Sequence, residues 1–337
     1  MSIKTKNKFS SIAGALLLSV VGSAIADEVS EKQTLDYADI FNIEYAASPQ
    51  TSPDGEQVIY ERRSMDIMTD STRTNLWQIS LDSGNHTPLF SGKSNYRMAR
   101  YSPKGDRVAY LSSFEGDNQL YVRWLKSGVS ARITNVENSP SNISWSPDGK
   151  WIAFSMFKPQ KGNSIFKDMP KKPKGAKWAG KATYIDQMNY RNDGGGFVKP
   201  GFSHIYVVPS SGGTPRQVTQ GDYHHGGNIG WSKNGKYIFI DGDRHEDWQD
   251  RPLESDIYRV DVATGETINI TQRGGPDARP VLNPQRDKIA YVRVEDRKLS
   301  SQNADLYVMN LDGSKPTNLT EKLDRSISQH QWDKKGK

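Results

Sequence analysis

The 337-residue chain carries 45 Lys and Arg against 39 Asp and Glu, six His, no Cys, and a formal net charge of +6. Without cysteine there is no disulfide framework and no thiolate metal centre. Three of the bases lie in the first eight residues, and the +3 that remains without them gives no argument for a nucleic-acid partner.

Lys4, Lys6 and Lys8 precede an apolar run from Ile12 to Val21, and Ala24-Ile25-Ala26 follows as an A-x-A site. This pattern predicts a secretory signal peptide over 1–26, cut after Ala26; about ten apolar residues are too few to span a bilayer. No later stretch is long and apolar enough for a membrane helix. The expectation is a periplasmic or secreted chain of about 310 residues with no membrane span, long enough to bury a sizeable core without disulfides.

From residue 50 onward one unit recurs. Ser52-Pro-Asp-Gly55, Tyr101-Ser-Pro-Lys-Gly105, Trp145-Ser-Pro-Asp-Gly149, Trp231-Ser-Lys-Asn-Gly235 and the degenerate Asn283-Pro-Gln-Arg286 are turns spaced 50, 44, 86 and 51 residues apart. A sixth turn, Trp332-Asp-Lys-Lys-Gly-Lys337, follows after 50. Pro presets the first corner, Asp or Asn tolerates the second, and Gly supplies the positive φ that re-enters a strand.

After each turn comes an alternating strand (Val58–Tyr60, Val108–Tyr110, Ile152–Phe154, Ile238–Ile240, Ile289–Tyr291). A second strand with a fixed aromatic follows (Trp77, Tyr121, Tyr206, Tyr258, Tyr307), then a Gly turn, then a short β segment ending near Leu89, Thr134, Thr219, Thr271 or Thr320. Four antiparallel strands with loops need about 40–50 residues, the length of a propeller blade. The predicted fold is therefore an all-β propeller over 27–337, with five complete four-stranded blades and the start of a sixth in an incomplete ring. A parallel β-helix needs shorter coils, and a sandwich does not repeat its sequence.

The spacing of 86 marks an insertion, 155–202, between the first and second strands after the third turn. Eight lysines lie between Lys158 and Lys181 against one acid, Asp168. The segment 184–197, YIDQMNYRNDGGGF, is less basic. The reading is a mobile basic arm followed by an ordered hairpin.

Repeated W-S-P-D-G-K-x-I-A-F units resemble the TolB-like propeller. Four stretches carry a closer resemblance to exported bacterial serine peptidases of the prolyl oligopeptidase family, in the dipeptidyl-peptidase and acylaminoacyl-peptidase group. They are DIFNIEYAASPQTSPDG (39–55), YRNDGGGF (190–197), HIYVVPSSGGTPRQVTQGDYHHGG (204–227) and NADLYVMNLDGSKPTNLT (303–320). The resemblance implies a propeller that admits short peptides to a C-terminal α/β-hydrolase domain, with no cofactor. It also implies a nucleophilic Ser on a G-x-S-x-G elbow, and here this chain departs from the pattern. G-x-S occurs at Gly92, Gly128, Gly162, Gly201 and Gly230, never followed by x-Gly, so neither the strained turn nor its oxyanion hole is encoded. The expectation is a partial chain in which the hydrolase domain and the catalytic residues are absent.

Tyr190, Arg191 and Asp193 are the candidate site residues: an Arg beside an aromatic and an acid suits a carboxylate contact of the substrate, an interdomain ion pair or a local salt bridge. His224-His225 do not suggest a metal site, since adjacent strand residues point to opposite faces. The acidic HEDWQD (245–250) invites an amine-binding reading but sits in an inter-strand loop. Gly194-Gly-Gly196 lacks the context of a phosphate loop. The N-x-S/T sequons at Asn85, Asn142, Asn269 and Asn318 lie at strand ends, where Asn and Thr suit the backbone. Two other functions fit the repeat: a non-enzymatic TolB-like periplasmic protein-binding module, and a propeller enzyme acting on polysaccharide.

Overall fold

The computed structural model describes residues 34–163, 170–180, 182–299 and 301–337. The predicted signal peptide lies outside them, as does part of the basic arm. The chain divides between Ile40 and Phe41; before that point the described residues hold only the start of a 3₁₀ helix, Tyr37–Asn42.

Five four-stranded antiparallel sheets follow in chain order. Blade 1 comprises Glu44–Thr51, Gln57–Asp66, Ser71–Ser80 and His86–Phe90, and blade 2 comprises Tyr96–Tyr101, Arg107–Ser112, Gln119–Trp124 and Ser130–Arg132. Blade 3 is built from Ser141–Trp145, Trp151–Pro159, Gly201–Pro209 and Arg216–Gln217. Blade 4 uses His225–Trp231, Tyr237–Gly242, Asp256–Asp261 and Thr267–Asn269; blade 5 uses Asp277–Leu282, Lys288–Val294, Ala304–Asn310 and Thr317–Asn318. In each blade the strands pair in order and the first lies innermost. Neighbouring first strands pack against one another around the array. The ring is incomplete: Trp332–Lys337 forms only the turn of a sixth repeat.

The turn between the first two strands is held by one buried hydroxyl. Ser52, Ser102, Ser146 and Ser232 are at most 6% exposed. Each Oγ accepts the backbone N–H five residues on (Gln57, Arg107, Trp151, Tyr237) at 2.9–3.1 Å. Each also donates to a nearby Asp or Asn: Asp54, Asp106, Asp148 and Asn234. In blade 5 Asn283 takes over, its Oδ1 accepting from Lys288 N at 3.1 Å. Glycine is required at Gly149, where φ is +69° and the chain must re-enter the strand. The blade 5 turn places Arg286 there at +58°, a position that is unfavourable for a residue with a Cβ.

A second staple explains the Thr that closes each of blades 2 to 5. Thr134, Thr219, Thr271 and Thr320 each accept, at the side-chain hydroxyl, an N–H of the third strand (Leu120, Ile205, Ile257, Leu306) at 2.9–3.0 Å. Asn269 and Asn318 accept from the N–H groups of Thr271 and Thr320 and donate to Asp256 and Asp305. Those two sequons therefore serve as backbone locks in the fold.

The core lies between blades. Ile59 and Leu76 of blade 1 pack against Val108, Tyr110 and Tyr121 of blade 2, and the pattern repeats through Ala109, Leu120, Phe154 and Tyr206 into blade 3. Each buried large apolar side chain contributes roughly 1.5–3 kcal/mol, so the blade-to-blade seams dominate stability. The same seam sets the first strands' geometry. Their pairing slips at one place, with a positive-φ residue at Ser48, Met98, Asn142, Gly227 or Arg279. Two carboxylates bridge blades there: buried Glu61 accepts from Met98 N at 2.8 Å, and half-buried Asp241 accepts from Arg279 N at 3.3 Å.

Candidate substrate channel and insertion hairpin

The five innermost strands surround a cavity of about 670 Å³. Its wall combines aromatic rings (Tyr101, Trp145, Trp231), turn prolines (Pro53, Pro103, Pro284) and the guanidinium groups of Arg100 and Arg286. The tryptophans stitch one blade to the previous one. Trp145 Nε1 donates to Arg100 O at 3.0 Å, Trp231 Nε1 to Ser144 O at 3.3 Å, and Trp332 Nε1 to Val281 O at 2.9 Å. Blade 5 has Leu282 at this position, and Arg286 Nη1 reaches Trp231 O at 2.6 Å instead. Burial lowers the pKa of both Arg100 and Arg286.

Among the described residues no Asp, Glu, His or Cys lines this cavity. Its serines are committed: Ser102 to the turn, and Ser144 Oγ to Ile229 O at 2.7 Å. The wall can guide an extended chain by stacking and backbone contact.

The insertion leaves blade 3 at Pro159 and returns at Gly201, with Gln160 N donating to Pro200 O at 3.0 Å across the neck. Gly201 has φ +136°, and a Cβ there would lie 2.8 Å from Phe157 Cζ and 2.9 Å from Pro159 Cα, so the neck admits only glycine. Within the insertion Arg191–Asn192 pairs with Gly196–Phe197 as a hairpin whose corner holds Gly194 at φ +73°. The ordered hairpin read from sequence is present. Every described residue of the basic stretch 158–180 is exposed except the partly exposed Ala176.

Tyr190, Arg191 and Asp193 all lie on this hairpin and are exposed. Tyr190 faces Phe197 with ring centroids 6.5 Å apart, and its carbonyl accepts from Val198 N at 2.8 Å. Among the described residues no ion pair joins Arg191 to Asp193.

The hairpin base meets the next blade's loop, 243–255. Met188 N donates to Gln249 Oε1 at 3.1 Å, and Trp248 sets its edge against Phe202 and His224. Between them lies a cavity of about 640 Å³ lined by Met188, His224, Asp243, Trp248, Asp250 and Glu254. His245 bridges Asp243 (2.9 Å) and the fully buried Asp256 (3.4 Å). His224-His225 and HEDWQD, two stretches distinctive in the sequence, meet here through tertiary packing that no local pattern marks.

His225 is buried beneath this contact and His224 is exposed, on opposite faces as the strand period requires. His225 stacks on buried His204 at 5.4 Å, and its Nε2 accepts from Arg244 Nη1 at 2.6 Å. Burial, then Arg244 and His204, push the His225 pKa down to about 3. Burial, then Lys158, His224 and Arg244, push His204 to about 4. Both rings are therefore neutral at physiological pH. Among the described residues no group of three or more His, Cys, Asp or Glu is placed to hold a metal ion, and no helix is long and apolar enough to cross a membrane.

The family profile described as the dipeptidyl peptidase IV (DPP IV) N-terminal region matches residues 52–190 and 178–282. The chain belongs to this family. The chain is 24% identical over 303 residues to dipeptidyl-peptidase 5 of Porphyromonas gingivalis, covering 85% of this chain and 43% of that protein. It is 25% identical over 228 residues to the peptidase YuxL of Bacillus subtilis, covering 67% of this chain and 34% of that one. The TolB protein of the Tol-Pal system from Francisella tularensis is also 25% identical, over 224 residues, covering 65% of this chain and 49% of that protein. Among solved structures, the Pyrococcus horikoshii acylaminoacyl peptidase superposes with a TM-score of 0.65 at 15% identity, covering 86% of this chain and 41% of that one. That likeness establishes the propeller fold. The chain spans about a third to a half of the length of the curated relatives it matches.

Proposed function

We propose that this chain is the substrate-gating propeller of an exported serine peptidase, one that hydrolyses short peptides in the manner of dipeptidyl or acylaminoacyl peptidases. The observation that carries the reading is the family match, which runs through the insertion and across blades 1 to 4. In this reading residues 1–26 are a signal peptide cut after Ala26, 27–337 are propeller, and a C-terminal α/β-hydrolase domain supplies Ser, Asp and His. The channel admits extended peptides and excludes folded proteins. Tyr190, Arg191 and Asp193 contact the substrate or the hydrolase domain from the insertion hairpin.

The test pairs two proteins: this chain, and the full reading frame that contains it. Chromogenic dipeptide and acyl-aminoacyl substrates should be cleaved by the second alone, in a reaction blocked by a serine-directed inhibitor. Turnover by the chain itself, or a full reading frame without G-x-S-x-G, contradicts the proposal. The latter outcome would favour the second reading, a TolB-like periplasmic protein-binding propeller, which the similarity to TolB supports.

A further inference from the structure

One end of the propeller carries the turns between first and second strands, and the other carries the loops between second and third. The channel cavity lies among the turns, for Pro53, Pro103 and Pro284 line it. In five of the six turns one position is glycine at positive φ: Gly55, Gly105, Gly149, Gly235 and Gly336. The blade 5 turn departs from this pattern. Arg286 takes the glycine's place at φ +58°, a region that disfavours any residue with a Cβ. The exchange brings a guanidinium to the cavity wall, where its Nη1 donates to Trp231 O at 2.6 Å. Strain held at one position of an otherwise uniform repeat marks a side chain kept for what it does.

Arg100 of blade 2 supplies a second guanidinium to the same wall, and both arginines are half-buried. Arg100 Nη1 donates to Ala99 O at 2.8 Å. A guanidinium has five N–H groups, so both side chains retain donors for a ligand. What the cavity lacks is a counter-charge. Among the described residues Glu61 is the acid whose charge reaches Arg100, and it is already paired with Arg63 at 2.6 Å; none reaches Arg286. Two partly desolvated cations on a wall without acids favour an arriving anion, and low local dielectric strengthens the bond it makes. We propose that Arg100 and Arg286 form a carboxylate-binding station in the channel, holding a peptide by its C-terminal carboxylate or by an acidic side chain. The rest of the wall selects the ligand class. Tyr101, Trp145 and Trp231 offer flat faces and the turn prolines rigid apolar edges, which suit an extended peptide better than a bare inorganic anion. The assignment deepens the channel reading above and rests on it.

The experiment is calorimetric titration of this chain at low ionic strength with three acetylated peptides. They are pentaalanine with a free C-terminus, its C-terminal amide, and the same amide with Glu in the central position. At least one carboxylate-bearing peptide should bind about tenfold more tightly than the neutral amide, as a charge-assisted hydrogen bond provides. Which of the two does so names the source of the carboxylate. Arg286→Gly, which restores the residue of the other turns, and Arg100→Gln should each shrink that preference to less than about threefold. Arg286→Lys, which keeps the charge and loses the fork, should retain part of it. The preference is a ratio measured on one protein, so incomplete folding of a variant weakens both peptides and leaves the ratio untouched. Equal affinity for all three peptides, or an undiminished preference in both Arg286→Gly and Arg100→Gln, overturns the proposal. Inorganic phosphate binding as tightly as the peptides overturns it too, since the site would then hold any anion. Binding of no peptide removes the channel reading together with the station. A full reading frame without a peptidase motif refutes the proposed function and leaves the measured preference standing.

Discussion

The turn end and the loop end of the propeller are built from the same strands and obey different rules. At the turn end, five turns share one lock, a buried Ser or Asn closing on the N–H five residues ahead. At the loop end no two connections are alike: four residues in blade 1, six in blade 2, forty-one in blade 3, thirteen in blade 4 and nine in blade 5. Repetition marks where the chain spends its residues on holding blades together. Irregularity marks where the residues are free of that task and available for recognition.

The sharpest way to break this comparison is to remove a stitch between blades. Trp231 is 2% exposed and bonds across to blade 3, so Trp231→Ala should cost about 3–5 kcal/mol in urea denaturation. Trp178, on the insertion and 45% exposed, should change stability by less than about 0.5 kcal/mol when replaced by Ala.

A smaller loss is expected at the turn lock. Ser146→Ala removes the buried hydroxyl to which Trp151 N donates at 2.9 Å, and should lower stability by about 1–3 kcal/mol. An unchanged denaturation midpoint would mean that water replaces the hydroxyl and that the repeated Ser is not a lock.

Acid should loosen the seam between blades 3 and 4 through its two buried histidines. With folded pKa values of about 3 and 4 against an ordinary 6.5, the unfolded chain binds more protons between these limits. Stability is therefore complete above about 6.5 and falls as pH drops toward 4. The melting temperature, followed from pH 7 to 4, should decline along this window. In His204→Leu/His225→Leu the decline should be shallower, even if the variant starts lower. An equal slope would remove these groups from the account.

Much of this architecture is legible in the sequence because its signals are local. The Ser-x-Asp-Gly lock spans six residues, and the closing Thr reaches back across one hairpin, so both leave a repeated mark. The slipped pairing in every first strand leaves none. It falls on Ser48, Met98, Asn142, Gly227 and Arg279, five residue types, because the neighbouring blade imposes it and the local backbone does not prefer it. The candidate site is legible only in part for the same reason. Tyr190, Arg191 and Asp193 do share a hairpin, but the cavity beside it depends on Met188, His224 and Trp248, which tertiary packing alone brings together.

The most direct test of the division between the two ends is a paired measurement on the full reading frame: melting temperature and KM for a short peptide, in Ser146→Ala and in Arg191→Ala. The account predicts that Ser146→Ala lowers the melting temperature and leaves KM within about twofold, while Arg191→Ala raises KM about tenfold and leaves the melting temperature unchanged. If Arg191→Ala lowers the melting temperature as much as Ser146→Ala and KM does not move, the insertion hairpin is part of the scaffold and the division fails.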